Sequence, residues 1–309
     1  MDRLQAMRVF VRVVEAGSFS RAAQGLNLPR ASVSAAVQEL ETGLGVRLLH
    51  RTTRKIALTP DGAVCLERCR RLLDDADELD ALFRPSGAPP SGRLRVDMPV
   101  RLARQAVMPA LPDFFARYPA IQLELGVSDR PVDLIQDGID CVFRAGGLGD
   151  SRLVARHLGN MRQGNYASPA YLERHGVPGH PDDLSRHSVI DYLSQITGRA
   201  LDWDYCLDGQ VLSLTPSGPK VMAVNNTETY VAAALAGLGL IQVPSYSVAE
   251  HIGAGELIEV MPDHPPPPLP LSALFPHRRF RSRRVSVFVD WLKTRLDMDE
   301  ILDGHKDGI

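Results

Sequence analysis

Apolar residues near the N-terminus recur at intervals of three and four, which predicts three successive helices. The first helix can end at Gly17, and Ser18 can cap a second, shorter helix. The adjacent Ala22 and Ala23 of the second helix allow another helix to approach closely. A third helix begins near Arg30. The apolar stripes assigned to the first and third helices are Leu4, Met7, Val11 and Val14, and Val33, Val37, Leu40 and Leu44.

The pattern then changes to two short strands and one long helix. In residues 46–58, apolar residues flank a basic tip, which indicates a hairpin. Thr59 and Pro60 favour a helix start, as N-cap and first helical residue. The apolar residues of this helix have heptad spacing, which fits a dimer seam or a core face within one chain. We expect a dimer seam, because the other sides are acidic and a Pro- and Gly-rich linker follows. The seam residues are Cys65, Cys69, Leu72, Ala76, Leu79 and Phe83.

From Gly92 onwards, short strands alternate with helices. Such a βα repeat predicts an α/β fold with an open, mostly parallel sheet. A second series of strands and helices begins near Gln163, and Pro265–Pro268 read as a stiff connector where the chain crosses between two lobes. The sequence therefore divides into a helical N-terminal part and a larger α/β part.

Charge is unevenly distributed between these parts. The whole chain has a formal net charge of -2, but residues 1–58 contain nine Lys and Arg against four Asp and Glu, a net charge of +5. A local cationic excess of this kind is typical of a surface that binds a polyanion. Charged residues such as Asp2 and Arg8 interrupt the N-terminal apolar stripe, so it does not resemble a secretory signal. We expect a cytoplasmic protein without a membrane partner.

The outward side of the third helix carries small or uncharged residues, namely Ala31, Ser34, Ala35, Gln38 and Thr42. A helix that enters a DNA groove needs short side chains there, whereas a surface helix without a partner is the alternative. Arg30 could reach a base edge or a phosphate. The basic hairpin that follows favours a winged helix-turn-helix, whose wing contacts the DNA backbone or minor groove. Double-stranded DNA is therefore the expected partner.

The α/β part offers a candidate ligand cleft, because ligands of open α/β sheets bind beyond the carboxyl ends of the strands. Arg101, Arg144 and Asn226 follow predicted strands, and the two arginines could bind a carboxylate. We therefore expect a small, anionic metabolite as ligand. Two structural alternatives stay open: a salt bridge between Arg144 and a neighbouring Asp, and a helix-capping role for Asn226.

Three other classes of protein could account for parts of this sequence. An enzyme is disfavoured because the chain lacks the nucleotide-binding, hydrolase and zinc-protease motifs, and its nine histidines form no ligand-spaced cluster. Cys65 and Cys69 match neither a redox pair nor a zinc pattern. We expect no catalytic residue, cofactor or metal. A solute-binding protein would explain residues 92–309 alone, but not a winged helix without an export signal. An architectural DNA-binding protein needs no two-lobed part. The remaining alternative is a cytoplasmic small-molecule-binding α/β protein or enzyme with an accessory DNA-binding domain.

Over nearly its whole length the chain resembles the LysR-type transcriptional regulators. The resemblance rests on "AGSFSRAAQGLNLPRASVSAAVQELETGLGVRLLHRTTRKIALTPDG", "PVDLIQDGIDCVFRAG", "YASPAYLERHG" and "AALAGLGLIQVP". It implies a winged helix-turn-helix, a long linker helix and a two-lobed effector domain like a periplasmic binding protein. It also implies dimers that assemble into tetramers, with RNA polymerase as a further candidate partner. The expected boundaries are 1–59, 60–91 and 92–309, with one lobe at 92–162 and 266–309 and the other at 163–265.

The resemblance also assigns roles to individual positions. Arg30 and Ala35 stand where many relatives have Gln and Arg, and Val100 replaces a common hydroxyl residue. The candidate DNA contacts are Arg30, Ala31, Ser34, Ala35 and Gln38 in the helix and Arg51, Thr52, Arg54 and Lys55 in the wing. The candidate effector contacts are Pro99, Val100, Arg101, Arg144, Ala145, Ser168, Asn226, Thr227 and Gln242.

Overall fold

The computed structural model describes residues 2–51, 56–82, 89–130, 132–134, 137–147, 153–276, 282–298 and 301. The chain forms two compact units, Met1–Ala88 and Pro89–Ile309. Among the described residues, no helix is both long enough and apolar enough to cross a membrane.

The described residues of the N-terminal unit form four helices and one hairpin. These are α1 (Arg3–Ala16), α2 (Phe19–Leu26), α3 (Arg30–Leu44), β1 (Leu49–Arg51), β2 (Ile56–Leu58) and α4 (Pro60–Leu82). The predicted boundaries of α1 and α2 are confirmed: Gly17 ends α1 in the left-handed conformation, and the Ser18 hydroxyl accepts a hydrogen bond from the Arg21 N–H group at 3.5 Å. Strands β1 and β2 pair antiparallel, which confirms the hairpin.

The apolar stripe predicted for α1 is partly right, since Val11 is buried and Met7 and Val14 pack against the core, and that of α3 is mostly right. Helix α1 buries Ala6, Val9, Phe10 and Val13 along with Val11, while Leu4 is 45% exposed and Met7 and Val14 are only half-buried. The buried face is rotated because α1 contacts α2, α3 and α4 at once, and Phe10 faces that shared core. In α3, Val33, Val37 and Leu40 are buried as predicted, and Leu44 is exposed.

Hydrogen bonds connect the start of α4 to the residues that precede the hairpin. The Thr59 hydroxyl accepts a hydrogen bond from the Gly62 N–H group at 2.8 Å and donates one to the Arg47 carbonyl at 2.7 Å. The Thr59 N–H group donates to the Leu48 carbonyl at 3.0 Å. A Cβ atom added to Gly62 would lie 2.0 Å from the same carbonyl oxygen, so only glycine fits there. The "TPDG" sequence is thus both a helix cap and a close contact between backbones.

The C-terminal unit consists of two lobes. Its helices are α5 (Val100–Leu102), α6 (Met108–Arg117), α7 (Pro169–His175), α8 (Thr227–Leu235), α9 (Ala249–Gly253) and α10 (Arg283–Met298), and a π-helix (Ala103–Val107) joins α5 to α6. Its strands are β3 (Gly92–Met98), β4 (Ile121–Val127), β5 (Cys141–Ala145), β6 (Leu153–Met161), β7 (Gln163–Ala167), β8 (Val189–Tyr192), β9 (Trp203–Leu207), β10 (Gln210–Leu214), β11 (Lys220–Val224), β12 (Ile241–Pro244), β13 (Ile258–Val260) and β14 (Leu269–Pro276).

The sheets are mixed, so the expectation of mostly parallel strands is wrong. In the first lobe the order is β4-β3-β5-β14-β6, and β3 pairs parallel with β4 and β5 while β14 pairs antiparallel with β5 and β6. In the second lobe β8 and β11 are parallel, whereas β7 pairs antiparallel with β12 and β13. The reason is that β6 carries the chain out of the first lobe and β14 brings it back. Pro265–Pro268 lie in this return crossing, as predicted.

We predict that Gly62→Ala lowers the free energy of unfolding of the N-terminal unit by about 3 kcal/mol, because the added Cβ overlaps the Leu48 carbonyl. Gly43→Ala is the control, since nothing lies within 4 Å of its Cβ position, and it should stabilise α3 by up to about 1 kcal/mol. Urea unfolding followed by circular dichroism measures both, because both tryptophans, Trp203 and Trp291, lie in the C-terminal unit. Equal stability of the two variants would contradict the close contact.

Candidate DNA-binding surface and interlobe cleft

Helix α3 presents the outward face that its sequence predicts. Arg30, Ala31, Ala35 and Gln38 are exposed, and Ser34 is half-buried. The residue before the helix, Pro29, makes no side-chain cap, so a partner outside the chain can accept hydrogen bonds from the first N–H groups of α3. The exposed face of α3 therefore combines short side chains, one terminal arginine and an uncapped helix end.

Glu41 connects α3 to the hairpin. Its Oε1 atom accepts hydrogen bonds from the N–H groups of Leu48 at 2.8 Å and Leu49 at 3.2 Å. These bonds fix where β1 begins relative to α3. Arg51 ends β1 opposite Ile56, while its side chain and the residues Thr52, Arg54 and Lys55 lie outside the described residues. Their role as wing contacts stays a prediction.

One face of helix α4 packs in the core of the N-terminal unit, and another face is exposed. Cys69 is buried in the core of the N-terminal unit together with Leu66 and Leu73, which corrects its assignment to the dimer seam. Cys65 is half-buried and packs against the same core, with 3.6 Å between the two sulfur atoms. Burial raises the pKa of Cys69 to about 12, so this thiol stays protonated at neutral pH.

The later residues of the predicted seam, from Leu72 onwards, are not buried in that core. Leu72 and Leu79 are 47% and 57% exposed, and Ala76 is half-buried. Phe83 lies outside the described residues. The exposed leucines leave an apolar edge along α4 that its own unit does not cover.

In the C-terminal unit, Arg101 joins the two lobes. Its side chain is buried, with 4% exposure, and Nη1 donates to the Ser247 carbonyl at 2.7 Å. Nη2 donates to Glu228 Oε2 at 3.1 Å, and Nε lies 3.0 Å from Glu228 Oε1 without hydrogen-bond geometry. Arg104 lies 3.5 Å from the same carboxylate. The expectation that Arg101 is available for an anionic ligand is therefore wrong in this structure, because a carboxylate of the second lobe already holds it.

Arg144 is also paired within the chain. Its Nη2 atom donates to Asp97 Oδ1 at 2.7 Å and to the Arg130 carbonyl at 2.9 Å. Burial raises the pKa of Asp97, and the Arg144 guanidinium opposes this shift. The salt-bridge alternative for Arg144 is confirmed, and the direct ligand contact expected of it is not supported.

The start of α8 meets the start of α5 through Asp129. Asn226 caps α8 by accepting a hydrogen bond from the Thr229 N–H group at 2.8 Å, which confirms the capping alternative. Asp129 Oδ2 accepts from the Thr227 N–H group at 2.8 Å, and Oδ1 accepts from the Val100 N–H group at 3.3 Å. The structure therefore brings together four of the predicted effector residues: Val100, Arg101, Asn226 and Thr227. Pro99 immediately precedes α5, and Ala145 is exposed at the end of β5.

Two other predicted effector residues lie elsewhere. The Ser168 Oγ atom is 3.5 Å from the position of a Cβ on Gly237, at the opposite end of α8 from Thr227. Gln242 Nε2 donates to Asn165 Oδ1 at 3.0 Å and to the Asp204 carbonyl at 2.9 Å. Gln242 therefore forms hydrogen bonds within the second lobe, and the assignment of Ser168 and Gln242 to the effector cleft stays a prediction.

Sequence reasoning overlooked two carboxylates in this region. Asp129 follows the end of β4, and Glu228 lies in the first turn of α8. The same rule that drew attention to the arginines, position at a strand's carboxyl end, applies equally to Asp129. Acidic residues in a first helical turn favour helix stability, so Glu228 carried no separate signal for a role between lobes.

Comparison with known proteins decides the family. Residues 4–63 match the family described as "Bacterial regulatory helix-turn-helix protein, lysR family", and residues 87–297 match the "LysR substrate binding domain". The chain belongs to the LysR family of transcriptional regulators. It is thus a transcriptional regulator with a helix-turn-helix DNA-binding domain and an effector-binding domain, in a family of regulators rather than enzymes.

Relatives of this LysR-family chain match it nearly from end to end. The HTH-type transcriptional regulator YhjC of Escherichia coli K12 is 43% identical over 292 residues, which is 94% of this chain and 97% of that protein. The structure of the regulator CrgA from Neisseria meningitidis is 33% identical, with a TM-score of 0.59 over 94% of this chain and 98% of that one. The virulence activator AphB of Vibrio cholerae is 29% identical, with a TM-score of 0.54 over 94% and 98%.

We predict that Arg101 and Glu228 are energetically coupled by about 2 kcal/mol in a double-mutant cycle of Arg101→Met and Glu228→Gln, because loss of Glu228 removes the nearest counter-charge of a buried guanidinium and leaves the more distant Glu250 at 3.7 Å. Chemical unfolding followed by tryptophan fluorescence measures this coupling. The control pair is Arg162 and Glu259 at 2.8 Å, in which the arginine side chain is 62% exposed, and its coupling should stay below about 1 kcal/mol. Equal coupling energies in both pairs would show that the buried contact between Arg101 and Glu228 is no stronger than a surface ion pair.

Proposed function

We propose that this LysR-family regulator binds a specific operator as a homodimer or larger homo-oligomer in the cytoplasm. Helix α3 enters the major groove, the hairpin between β1 and β2 contacts the DNA backbone, and a small molecule in the interlobe cleft changes DNA binding or transcription. The observation that carries this proposal is the face of α3, where exposed short residues, Arg30 and an uncapped helix start lie together.

The geometry of α3 suits groove entry for two reasons. Ala31 and Ala35 allow the helix backbone to approach the base edges, and Arg30 and Gln38 supply donors at two heights along the helix. The uncapped N–H groups of the first turn offer a phosphate hydrogen bonds and a favourable helix dipole. Glu41 fixes the root of the hairpin beside the same helix, so helix and wing reach one DNA duplex together.

Dimerisation is proposed to use the exposed edge of α4. Burying a leucine side chain stabilises an interface by roughly 1.5 to 3 kcal/mol, and Leu72 and Leu79 occupy the same edge. Assembly into a homotetramer and contact with RNA polymerase extend the proposal on the strength of the family resemblance. The direction of regulation differs among relatives: one from Pseudomonas aeruginosa is named a repressor and AaeR of Escherichia coli an activator.

The nature of the effector follows from the charges of the cleft. Arg101, Arg104 and Arg144 all contact carboxylates of the chain itself, so an anionic effector needs to replace an internal carboxylate. We propose a small metabolite that does so, with Val100 and Thr227 among its neighbours.

Arg30→Ala should weaken specific DNA binding by about 5- to 100-fold and relax base preference at one operator position, as expected for loss of a base contact. Selection from a random duplex library gives the preferred sequence, and titration at several salt concentrations gives the affinity. Arg54→Ala, in the wing, should instead weaken binding to all sequences similarly.

The control is Arg117→Ala, an exposed arginine of the C-terminal unit, which should change neither affinity nor preferred sequence. An unchanged sequence preference in Arg30→Ala would refute the groove assignment. Failure of the unmodified protein to select any sequence would refute the proposed function itself.

Leu72→Glu should reduce the oligomer to a smaller species in sedimentation, because a charge would be buried without a partner in an apolar interface. Since Leu72 is exposed in its own unit, the single chain should still fold. Val177→Glu places the same charge on an exposed apolar residue of the second lobe and serves as the control. An unchanged sedimentation coefficient for Leu72→Glu would place the interface elsewhere.

A further inference from the structure

Asp129 is a single side chain bonded to the backbones of both lobes. It lies two residues beyond the end of β4 in the first lobe, and its Oδ1 atom accepts a hydrogen bond from Val100 N–H at 3.3 Å, at the start of the helical segment that continues to Arg117. Its Oδ2 atom accepts a bond from Thr227 N–H at 2.8 Å, at the start of α8 in the second lobe. One carboxylate therefore bridges the two lobes.

These bonds differ from an ordinary local cap. Val100 and Thr227 are 29 and 98 positions away from Asp129, so neither bond stabilises a turn around Asp129 itself. Asp183 provides a contrast within the same chain. It also accepts two backbone N–H bonds, from Gly179 and His180 at 3.0 Å each, but both partners belong to its own loop. Of these two aspartates, Asp129 is the one whose bonds reach both lobes.

The charges around Asp129 explain why its carboxylate suits this position. Helix starts carry partial positive charge, and the first N–H groups of a helix lack partners within the helix. The neighbouring guanidinium groups are held by other carboxylates, Glu228 for Arg101 and Asp97 for Arg144. The carboxylate of Asp129 thus offsets the partial positive charge at the starts of α5 and α8, while Arg101 and Arg144 pair with other carboxylates.

We propose that Asp129 is an interlobe latch, defined as an internal carboxylate that holds the starts of α5 and α8 together when no effector is bound. An effector carboxylate then binds by displacing Asp129 from the amides of Val100 and Thr227, which couples ligand entry to release of the latch. This second statement rests on the proposed effector function, whereas the latch itself does not.

The test uses full-length protein, the variants Asp129→Ala, Asp129→Asn and Asp183→Ala, and sodium acetate as the probe, with sodium chloride at equal ionic strength as its control. Hydrogen–deuterium exchange of peptides that cover 99–102 and 225–230 reports the two amides. In Asp129→Ala we expect exchange at both segments to accelerate by about tenfold, and acetate to restore protection. Asp129→Asn keeps one acceptor oxygen and should be intermediate, which gives a second reading if Asp129→Ala folds poorly. Asp183→Ala should leave both segments unchanged.

Two results would overturn the latch. One is unchanged exchange at both segments in Asp129→Ala and Asp129→Asn. The other is equal protection of the unmodified protein and Asp129→Ala by acetate, since an intact latch already occupies the amides. DNA selection by the unmodified protein, measured in parallel, separates the two proposals: absence of any selected sequence refutes the regulator and leaves the exchange result to decide the latch.

Discussion

A buried guanidinium requires a counter-charge, and Arg101 satisfies this requirement across the boundary between the lobes. Its partner, Glu228, lies in the first turn of α8, so the ion pair also fixes where that helix begins relative to α5. The Ser247 carbonyl accepts a further bond from Arg101 and ties the segment after β12 to the same point. The positions of Val100, Thr227 and Asp129 around the cleft depend on this contact.

The sequence allowed most of the N-terminal unit to be predicted because its signals are local. As helix caps, Gly17, Ser18 and Thr59 form hydrogen bonds with residues three positions away, and these capping roles are confirmed. The buried face of α1 was misjudged because it depends on three neighbouring helices. The β9–β10 hairpin has a local signal of the same kind, because Asp208 and Gly209, both with positive φ, form its two-residue turn.

The candidate site was harder to predict for a different reason. Position in a strand–helix pattern identifies which side chains stand at a sheet edge, but the partner of each charge comes from distant parts of the chain. Arg144 pairs with Asp97, 47 positions away, and Arg101 pairs with Glu228, 127 positions away. Gln242 was assigned to the cleft by family resemblance alone, and its side chain bonds to Asn165, its partner in the neighbouring strand. Such contacts between distant parts of the chain can be recognised only once the complete fold is known.

Helix α4 begins as part of the DNA-binding unit, with Leu66, Cys69 and Leu73 packed in the same core as α3. The start of α4 is therefore held rigidly by that core, and the chain has no hinge at this point. With 23 residues at 1.5 Å each, it spans about 34 Å, close to one turn of B-form DNA. In an assembly joined along α4, the distance between the two α3 helices is then set by helix geometry. The spacing of operator half-sites would be a property of this helix. Inserting or removing one residue of α4 between its packed start and the interface would rotate each α3 by about 100° about the α4 axis relative to that interface.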